Sequence, residues 1–223
     1  METDEPGDRS VVSTILSRRS IREGFEKRSV SRTDLETILA CGLAAPSSKN
    51  AQPWRFHVLL DDAVRSHIAD AAELSPDADD YVPHDPRTGR PDAAWSSTVA
   101  ESAAVLRSVP VAIAIENRGV FSGGLQVMRR ASHENLVASL TAFGLENMGL
   151  GTALSNMWLA ANSLGISAAF LGDLAIAEEV AGPLLGCSGD LIGILALGYS
   201  SAVAPPRRQP PRSTQVAEPV VWH

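Results

Sequence analysis

The pattern of hydrophobic and polar positions predicts three strands along the chain. Residues 54–60 predict the first strand, and residues 109–116 and 191–197 predict the second and third. The run at 109–116 is apolar as far as its last residue, which is typical of a strand buried inside a core. We therefore expect at least one strand of the sheet to be covered on both faces.

An amphipathic helix is predicted before the first strand. Its apolar positions follow helical spacing and are Leu35, Ile38, Leu39 and Leu43. Thr33, followed three positions later by Glu36, resembles a capping box at the start of this helix. The helix is expected to end near Ala45, since Pro46 disfavours helical geometry in the residue before it. A shorter helix is predicted over residues 11–17.

Two helices in series are predicted at residues 133–148 and 152–164. The second is apolar on nearly every side, through Leu154, Met157, Trp158, Leu159, Ala160, Ala161 and Leu164. A helix of this kind is buried either in a large core or in a subunit interface. In a chain of 223 residues we favour the interface. Mixed helices and strands with a helical interface indicate the α+β class.

The remaining segments are polar or rich in proline and glycine. Residues 75–97 and 117–132 are expected to run over the surface as long loops, which either cover a site or form a disordered flap. Residues 1–10 are expected to be disordered, and residues 11–200 to form a single domain. The proline-rich residues 201–223 are expected to form an arm across a partner subunit, or else a free tail.

Composition and charge narrow the classes of function. Hydrophobic residues make up 44% of the chain and charged residues 20%, as in ordinary soluble domains. The net charge of −7 argues against a general nucleic-acid binder, because that function needs a basic face. The sequence has neither a signal-peptide pattern nor an apolar run long enough to span a membrane, so a cytoplasmic protein is expected.

The sequence lacks the patterns that are typical of several kinds of catalytic centre. Cys41 and Cys187 have no CxxC spacing and no nearby histidine in the sequence, so neither a metal site nor a disulfide is expected. The chain contains no Rossmann glycine pattern, Walker A sequence, zinc-protease HExxH or GxSxG elbow. The five histidines are expected to be surface or packing residues, and residues 186–189 to form only a turn.

A basic cluster stands out in this acidic chain. Arg18, Arg19 and Arg22 place three guanidinium groups within five residues, with Ser20 between them. Guanidinium binds phosphate through paired, charge-assisted hydrogen bonds, and a serine hydroxyl adds a neutral donor. The cluster therefore indicates a site for a small anion. The alternative is a solvated turn whose arginines pair with the nearby Glu23 and Glu26.

A second polar segment lies between the predicted amphipathic helix and the first strand. Residues 45–54 concentrate hydroxyl and amide groups, through Ser47, Ser48, Asn50 and Gln52. Such groups suit the polar edge of a planar heterocycle, which offers carbonyl oxygens and ring nitrogens. The alternative is an ordinary turn stabilised by its own serine and asparagine side chains.

Together the two segments resemble the FMN-dependent nitroreductase family. One family pattern, R-[RH]-S-x-[RK], is matched by Arg18, Arg19, Ser20 and Arg22. Another, P-[ST]-[SG]-x-N-x-Q-P-W, is matched by Pro46, Ser47, Ser48, Asn50, Gln52, Pro53 and Trp54. Residues 156–166 are similar to the family's dimer helix and the turn that follows it, and residues 195–199 to its closing strand. The resemblance covers roughly residues 11–60 and 134–222.

The resemblance implies a fold and a cofactor site. The fold would be α+β, with a central, mainly antiparallel sheet flanked by helices and a helical dimer interface. Arg18, Ser20 and Arg22, with neighbouring Arg19, would hold the phosphate and ribityl chain of FMN. Arg207 or Arg208 would return from the C-terminal arm to the same phosphate. The backbone of Leu171 and Gly172 would offer donors near N5 of the ring. The other subunit would contact the ring through Pro46, Ser47, Ser48, Asn50 and Gln52.

The resemblance also implies an activity. A homodimer would transfer hydride from NAD(P)H through FMN to a nitro-aromatic, quinone or similar conjugated acceptor, in a ping-pong cycle. No catalytic side chain or metal is expected, because the flavin carries the chemistry. Some relatives have a glutamate at the position of Leu171, which leaves the substrate open. The alternatives are a flavin-dependent dehydrogenase, oxidase or dehalogenase of a specialised small molecule, and a non-catalytic flavin-binding or regulatory protein.

Overall fold

A computed structural model describes residues 11–78, 84, 88–91 and 96–203 of the chain. The helices of this part are α1 Val11–Ser17, α2 Arg32–Leu43, α3 Asp62–Glu73, α4 Val99–Ser108, α5 Gly124–Met128, α6 His133–Ser163 and α7 Glu178–Leu185. Short 3₁₀ helices cover Ser48–Asn50 and Asp173–Ala177. The strands are β1 Trp54–Leu59, β2 Val111–Asn117, β3 Ser167–Leu171 and β4 Asp190–Gly198.

The four strands form one sheet in the order β1-β2-β4-β3, and every neighbouring pair is antiparallel. Successive side chains of a strand point to opposite faces. Accordingly, Ile113 and Ile115 of β2 pack in the core cluster that contains the α2 and α6 residues, whereas Ala112 and Ala114 pack against α3 and α4. Strand β2 is buried along its whole length. The structure thus confirms the α+β class and the antiparallel sheet.

The three predicted strands are confirmed with small shifts at their ends, since they correspond to β1, β2 and β4. Strand β3 was not predicted from the hydrophobic pattern, and helices α3 and α4 were not predicted at all. Alanine supplies much of the buried surface of these two helices, including Ala69, Ala72 and Ala103. Alanine-rich faces give a weak hydrophobic signal in a sequence, although alanine is the best helix former.

The start of α2 differs from the predicted capping box. The N-cap is Ser31, whose side chain accepts a hydrogen bond from the backbone N–H of Asp34 at 3.1 Å. The prediction of Thr33 as the cap is therefore wrong by two residues. The Asp34 carboxylate in turn accepts from the Ser31 hydroxyl at 2.7 Å, so two hydrogen bonds link Ser31 and Asp34, two positions before the predicted Thr33 and Glu36. The helix ends at Leu43, as Pro46 predicts.

The two helices predicted in series are one continuous helix, α6, of 31 residues. The predicted break at residues 149–151 contains Gly149 and Gly151. A glycine inside a helix costs about 1 kcal/mol relative to alanine, which packing can offset. At Gly149 the helix packs closely against the loop, because an added Cβ would lie 3.3 Å from the Cβ of Ser47.

The segment 117–132, predicted as a long surface loop, is more ordered than expected. It begins inside β2 and contains α5. Of the polar excursion 75–97, the structure describes only part, and residues 1–10 and 204–223 lie outside the described residues. The predicted C-terminal contacts of Arg207 and Arg208 therefore stay predictions. Among the helices that are described, none combines the length and apolar character needed to cross a membrane.

Candidate functional site

The arginine cluster follows α1 and lies beside strand β3. The backbone N–H of Ile21 donates to the carbonyl oxygen of Ala168 at 3.1 Å, which places the cluster against the start of that strand. The Ile21 side chain is buried, whereas Arg22 next to it is exposed. The local fold therefore directs one side chain of the cluster into the core and leaves polar groups at the surface.

Arg18 is held against helix α6. The central carbon of its guanidinium lies 4.4 Å from the centre of the Trp158 ring, in a cation–π arrangement. Asn162, one turn further along α6, donates from its side-chain amide to the carbonyl oxygen of Thr14 in α1 at 3.4 Å. The end of α1 and the cluster after it are thus fixed to the C-terminal part of α6.

The other two arginines differ in how strongly they are engaged. Arg19 donates from Nη1 to the carbonyl oxygens of Leu16, Ser17 and Arg18, at 3.0 Å each, and so caps the C-terminus of α1. Arg22 lies 3.8 Å from Glu101 of α4, and both side chains are about half exposed. An exposed ion pair at this distance is weak. The expected alternative partners, Glu23 and Glu26, are not the ones that the structure gives to Arg22.

A cavity of about 230 Å³ opens next to the cluster. It is lined by Arg19, Ile21, Trp158 and Asn162, together with residues 165–168 and Ala202. The cavity thus joins the basic segment, the end of α6 and the start of β3. Arg19 is the arginine of the cluster that lines this cavity.

The end of β3 carries the predicted residues Leu171 and Gly172. Leu171 is fully buried in the core, so its side chain is not available to a ligand. The turn after it is fixed by Asp173, whose carboxylate accepts from the hydroxyls of Thr98 at 2.6 Å and Ser102 at 2.9 Å. Since α4 also carries Glu101, the partner of Arg22, one helix contacts both the arginine cluster and this turn.

The predicted serine–asparagine loop, residues 46–52, has an unusual backbone. Lys49, Asn50 and Gln52 have positive φ angles of 50°, 53° and 47°, a conformation that side-chain-bearing residues seldom adopt. The Ser47 hydroxyl accepts from the backbone N–H of Gln52 at 2.9 Å and so closes the loop. Residues held in sparsely populated conformations cluster at ligand sites. The loop is therefore a candidate site on geometric grounds as well as on its sequence.

Helix α6 contacts both the serine–asparagine loop and the arginine cluster, at different positions along its axis. Thr152 donates to the carbonyl oxygen of Pro46 at 3.0 Å, and Gly149 lies beneath Ser47. Trp158, which contacts Arg18, is nine residues beyond Gly149. At a rise of 1.5 Å per residue the two attachment points are about 14 Å apart along the helix. The structure therefore places the arginine cluster with β3 and the loop with the middle of α6.

A buried carboxylate that the sequence analysis missed organises the surroundings of the loop. Glu146 of α6 accepts hydrogen bonds from the backbone N–H groups of Phe121 at 2.6 Å and Ser122 at 3.0 Å. It also accepts from the Ser122 hydroxyl and the Asn117 amide, at 2.6 and 3.1 Å. These bonds hold residues 117–122 near loop 46–52, where the Lys49 ammonium lies 6.0 Å from the Phe121 ring. The sequence signal that could have indicated this buried carboxylate is a glutamate within an apolar stretch of a predicted helix.

The environment of Glu146 changes its acidity. Burial alone would raise the pKa of this carboxyl, but the hydrogen bonds from Ser122, Phe121 and Asn117 favour the charged form and hold the pKa below its ordinary value of 4.5. A carboxyl with a lowered folded-state pKa contributes stability above its unfolded pKa and loses it as the pH falls through the folded value. Glu146 is thus a source of acid sensitivity.

We expect the free energy of unfolding to decrease as the pH falls below about 4.5, and to decrease less in the Glu146→Gln variant. The variant has no carboxyl to protonate at this position, so its contribution to the pH dependence disappears. Urea unfolding at a series of pH values between neutral and about 3 measures the difference. Identical slopes for the two proteins would contradict the assignment of Glu146 as an acid-sensitive anchor.

A second buried carboxylate lies on the opposite face of the sheet. Glu116 is fully buried, and its Oε2 lies 2.8 Å from Nε2 of His57. The Sγ of Cys187 lies 3.5 Å from the same nitrogen. The expectation that Cys187 has no histidine neighbour is therefore wrong, because 130 residues of chain separate two side chains that the fold brings together. The turn at residues 186–189, expected to be only a turn, binds this carboxylate.

The acid–base properties of this group follow from its surroundings. Burial would raise the pKa of Glu116, but hydrogen bonds from His57, Ser188 and Gly189 outweigh it, so the pKa is lowered. Burial and the nearby Glu116 charge raise the pKa of the Cys187 thiol to about 11. In the protein alone the thiol is thus protonated and a poor nucleophile near neutral pH.

Comparison with known sequences shows one family. A model of the nitroreductase family matches residues 15–199. A proposed NADH dehydrogenase/NAD(P)H nitroreductase of Archaeoglobus fulgidus is 40% identical over 57 residues, which are 26% of this chain and 32% of that protein. The chain thus aligns with about a third of the length of this curated relative.

Solved structures of similar fold cover almost the whole chain. A nitroreductase with bound FMN from Bacteroides fragilis has a TM-score of 0.60 and 20% identity, over 93% of this chain and 98% of that one. The NADPH:FMN oxidoreductase of Vibrio harveyi, complexed with NAD⁺, has a TM-score of 0.64 and 18% identity, over 96% of this chain and 78% of that one. At these identities the likeness establishes the fold.

Proposed function

Because the chain belongs to the nitroreductase family, we propose that it binds FMN and transfers hydride from NAD(P)H to a nitro-aromatic, quinone or similar conjugated acceptor. The observation that carries this proposal is the position of the arginine cluster beside β3 and the cavity of about 230 Å³. The FMN and NAD⁺ bound in the two structural relatives support the choice of cofactor and reductant.

The residues of the arginine cluster fit the phosphate end of FMN. Arg18 is fixed in place by Trp158, so little conformational freedom is lost when it binds a ligand. Within the part of the chain that the structure describes, Arg22 is engaged by a long, half-exposed ion pair, which it can exchange for stronger bonds to a phosphate. Ser20 lies between them and adds a hydroxyl. We assign Arg18, Ser20 and Arg22 to the phosphate and ribityl chain.

The ring end requires neutral donors and acceptors. In the proposal, the serine–asparagine loop contacts the edge of the ring through Ser47, Ser48 and Asn50, and the backbone of Leu171 and Gly172 contributes donors near N5. When bound, FMN supplies the hydride chemistry. The chain's own residues bind and orient it, and donors fixed in advance stabilise negative charge that develops on the ring.

A homodimer would bring these two groups of residues together. The loop and the cluster are about 14 Å apart along α6 of one chain, and we propose that the loop of the partner subunit completes each site. An interface was expected on residues 152–164, but Met157 and Ala161 of that segment are buried in the core of the same chain. Exposed apolar side chains lie earlier on α6, at Val137, Leu140 and Met148, and these support the assembly. Val11 and Val12 of α1 are exposed apolar residues as well.

The purified protein is expected to show a flavin absorbance spectrum, either as isolated or after incubation with FMN and removal of excess ligand. Anaerobic addition of NADPH or NADH should then bleach the flavin band, and addition of a quinone should restore it. A protein that stays colourless after incubation with FMN would overturn the cofactor assignment. A flavin band that neither nicotinamide bleaches would overturn the proposed reductant, and would leave a dehydrogenase or oxidase that is reduced by its own substrate.

A further inference from the structure

Three side chains with different donor atoms meet on the face of the sheet opposite α6. They are His57 of β1, Glu116 of β2 and Cys187 in the turn after α7, and their candidate ligand atoms all lie within 4.8 Å of one another. Nitrogen, oxygen and sulfur donors in one place are the ligand set of borderline-soft metal ions. Neither the family match nor the proposed flavin site accounts for this group.

The sheet itself places two of the three ligands. In the β1–β2 register, Arg55 is opposite Glu116 and His57 is opposite Ala114, so His57 and Glu116 are diagonal neighbours on one face. This is the face that packs against α3 and α4. The next residue of β2, Asn117, points to the other face and contacts Glu146 of α6. The group thus lies on the face of the sheet opposite Glu146 and α6.

The turn after α7 orients the Glu116 carboxylate. One oxygen, Oε1, accepts from the backbone N–H groups of Ser188 and Gly189, both at 2.8 Å, and from the Ser188 hydroxyl at 3.0 Å. The other oxygen, Oε2, faces His57 at 2.8 Å. Hydrogen bonds that fix one oxygen and leave the other for a metal are the usual outer support of a carboxylate ligand.

We propose that His57, Glu116 and Cys187 bind one thiophilic divalent cation of the zinc class. The Nε2–Sγ distance of 3.5 Å matches the separation of about 3.6 Å between a nitrogen and a sulfur ligand of tetrahedral zinc. The carboxylate and imidazole need to move apart by about half an ångström to reach the corresponding separation. The cation would join β1, β2 and the turn after α7, with solvent as its fourth ligand.

The charges balance when the cation binds. The Cys187 thiol loses its proton to solvent, and the resulting thiolate and the Glu116 carboxylate neutralise a doubly charged ion, with His57 as a neutral ligand. Arg55 is the nearby cation, with Nη1 at 3.6 Å from Oε2 of Glu116. Its side chain is about half exposed and can withdraw into solvent. The His57 side chain is partly exposed and provides access.

Cobalt(II) is the probe for this site, because its thiolate complexes have a charge-transfer band in the near ultraviolet and visible bands that report tetrahedral geometry. The reduced, chelator-treated protein is titrated with Co²⁺ and then with Zn²⁺. We expect one Co²⁺ per chain, a thiolate-to-cobalt band, and loss of that band when Zn²⁺ displaces the probe. Absence of the band from the wild-type protein would overturn the proposal, whether or not Co²⁺ binds elsewhere.

Matched variants assign the ligands. Cys187→Ser should abolish the thiolate band, whereas Cys41→Ser, which changes the other cysteine, should keep it. His57→Gln should weaken Co²⁺ binding by at least about 10-fold, since even outer-shell changes at metal sites cost 10- to 100-fold. Circular dichroism of the metal-free variants checks that they fold. A band that survives Cys187→Ser but is lost in Cys41→Ser would place the thiolate elsewhere and overturn the assignment.

Discussion

Replacing Arg18 and Arg22 together with alanine is expected to weaken FMN binding by a factor on the order of 10² to 10⁴. Each charge-assisted hydrogen bond to a phosphate is worth roughly 1.5–3 kcal/mol, so two of them contribute about 3–6 kcal/mol. Quenching of free FMN fluorescence on titration with apoprotein measures the dissociation constant. A large effect is expected because, in the proposed site, each arginine would meet the phosphate through a formal charge rather than a neutral dipole.

A control variant separates specific contacts from a general loss of positive charge. Arg32→Ala combined with Arg90→Ala removes the same net charge from two exposed positions outside the cluster. This control should bind FMN with nearly wild-type affinity. Arg18 also packs on Trp158, so thermal unfolding of both variants is needed to show that the fold persists. Equal FMN affinity of the cluster variant and the wild type would mean that the arginines form only a solvated turn.

The local parts of the fold were predictable from local patterns. The continuous apolar run of β2 follows from burial on both faces, and the end of α2 follows from the restriction that Pro46 imposes. The candidate flavin residues were found for a similar reason, because each group lies within a short stretch of sequence. Their role in FMN binding came from the family resemblance and stays a prediction.

The contacts that could not be predicted are long-range polar ones. Glu116 and Asn117 are adjacent in β2, yet strand alternation sends one to His57 and the turn after α7, and the other to Glu146. The hydrogen bonds that stabilise a buried carboxylate come partly from backbone N–H groups, such as those of Phe121 and Gly189. Nearly every residue has such a group, so the sequence does not mark these donors. A sequence without its fold gives no sign of which carboxylate these groups will meet.

The continuity of α6 has a functional consequence that two separate helices would not have. A single rigid helix fixes the spacing between the loop attachment at Gly149 and the arginine attachment at Trp158. It also presents exposed apolar side chains at Val137, Leu140 and Met148. Gly144 and Gly151 leave open space at the surface, so a second helix can approach closely there. The same helix would then set both the dimer and the geometry of the proposed site.

The double variant Val137→Glu and Leu140→Glu is expected to convert the proposed dimer into a monomer and to lower FMN affinity with it. Both side chains are exposed on the chain alone, at 73% and 50%, so neither glutamate disturbs the core. In a symmetric interface the two substitutions bring four carboxylates together out of water, which strongly opposes association. Light scattering after size exclusion measures the mass of the particle, and FMN titration measures the accompanying loss of FMN affinity.

Leu74→Glu provides the matched control, because Leu74 is 84% exposed at the end of α3 and does not lie on α6. This variant should remain dimeric and bind FMN as the wild type does. A wild-type protein of monomeric mass would contradict the interface on α6. A monomeric double variant that still binds FMN with wild-type affinity would contradict a different step, the contribution of the partner's loop, because it would show that one chain alone completes the site.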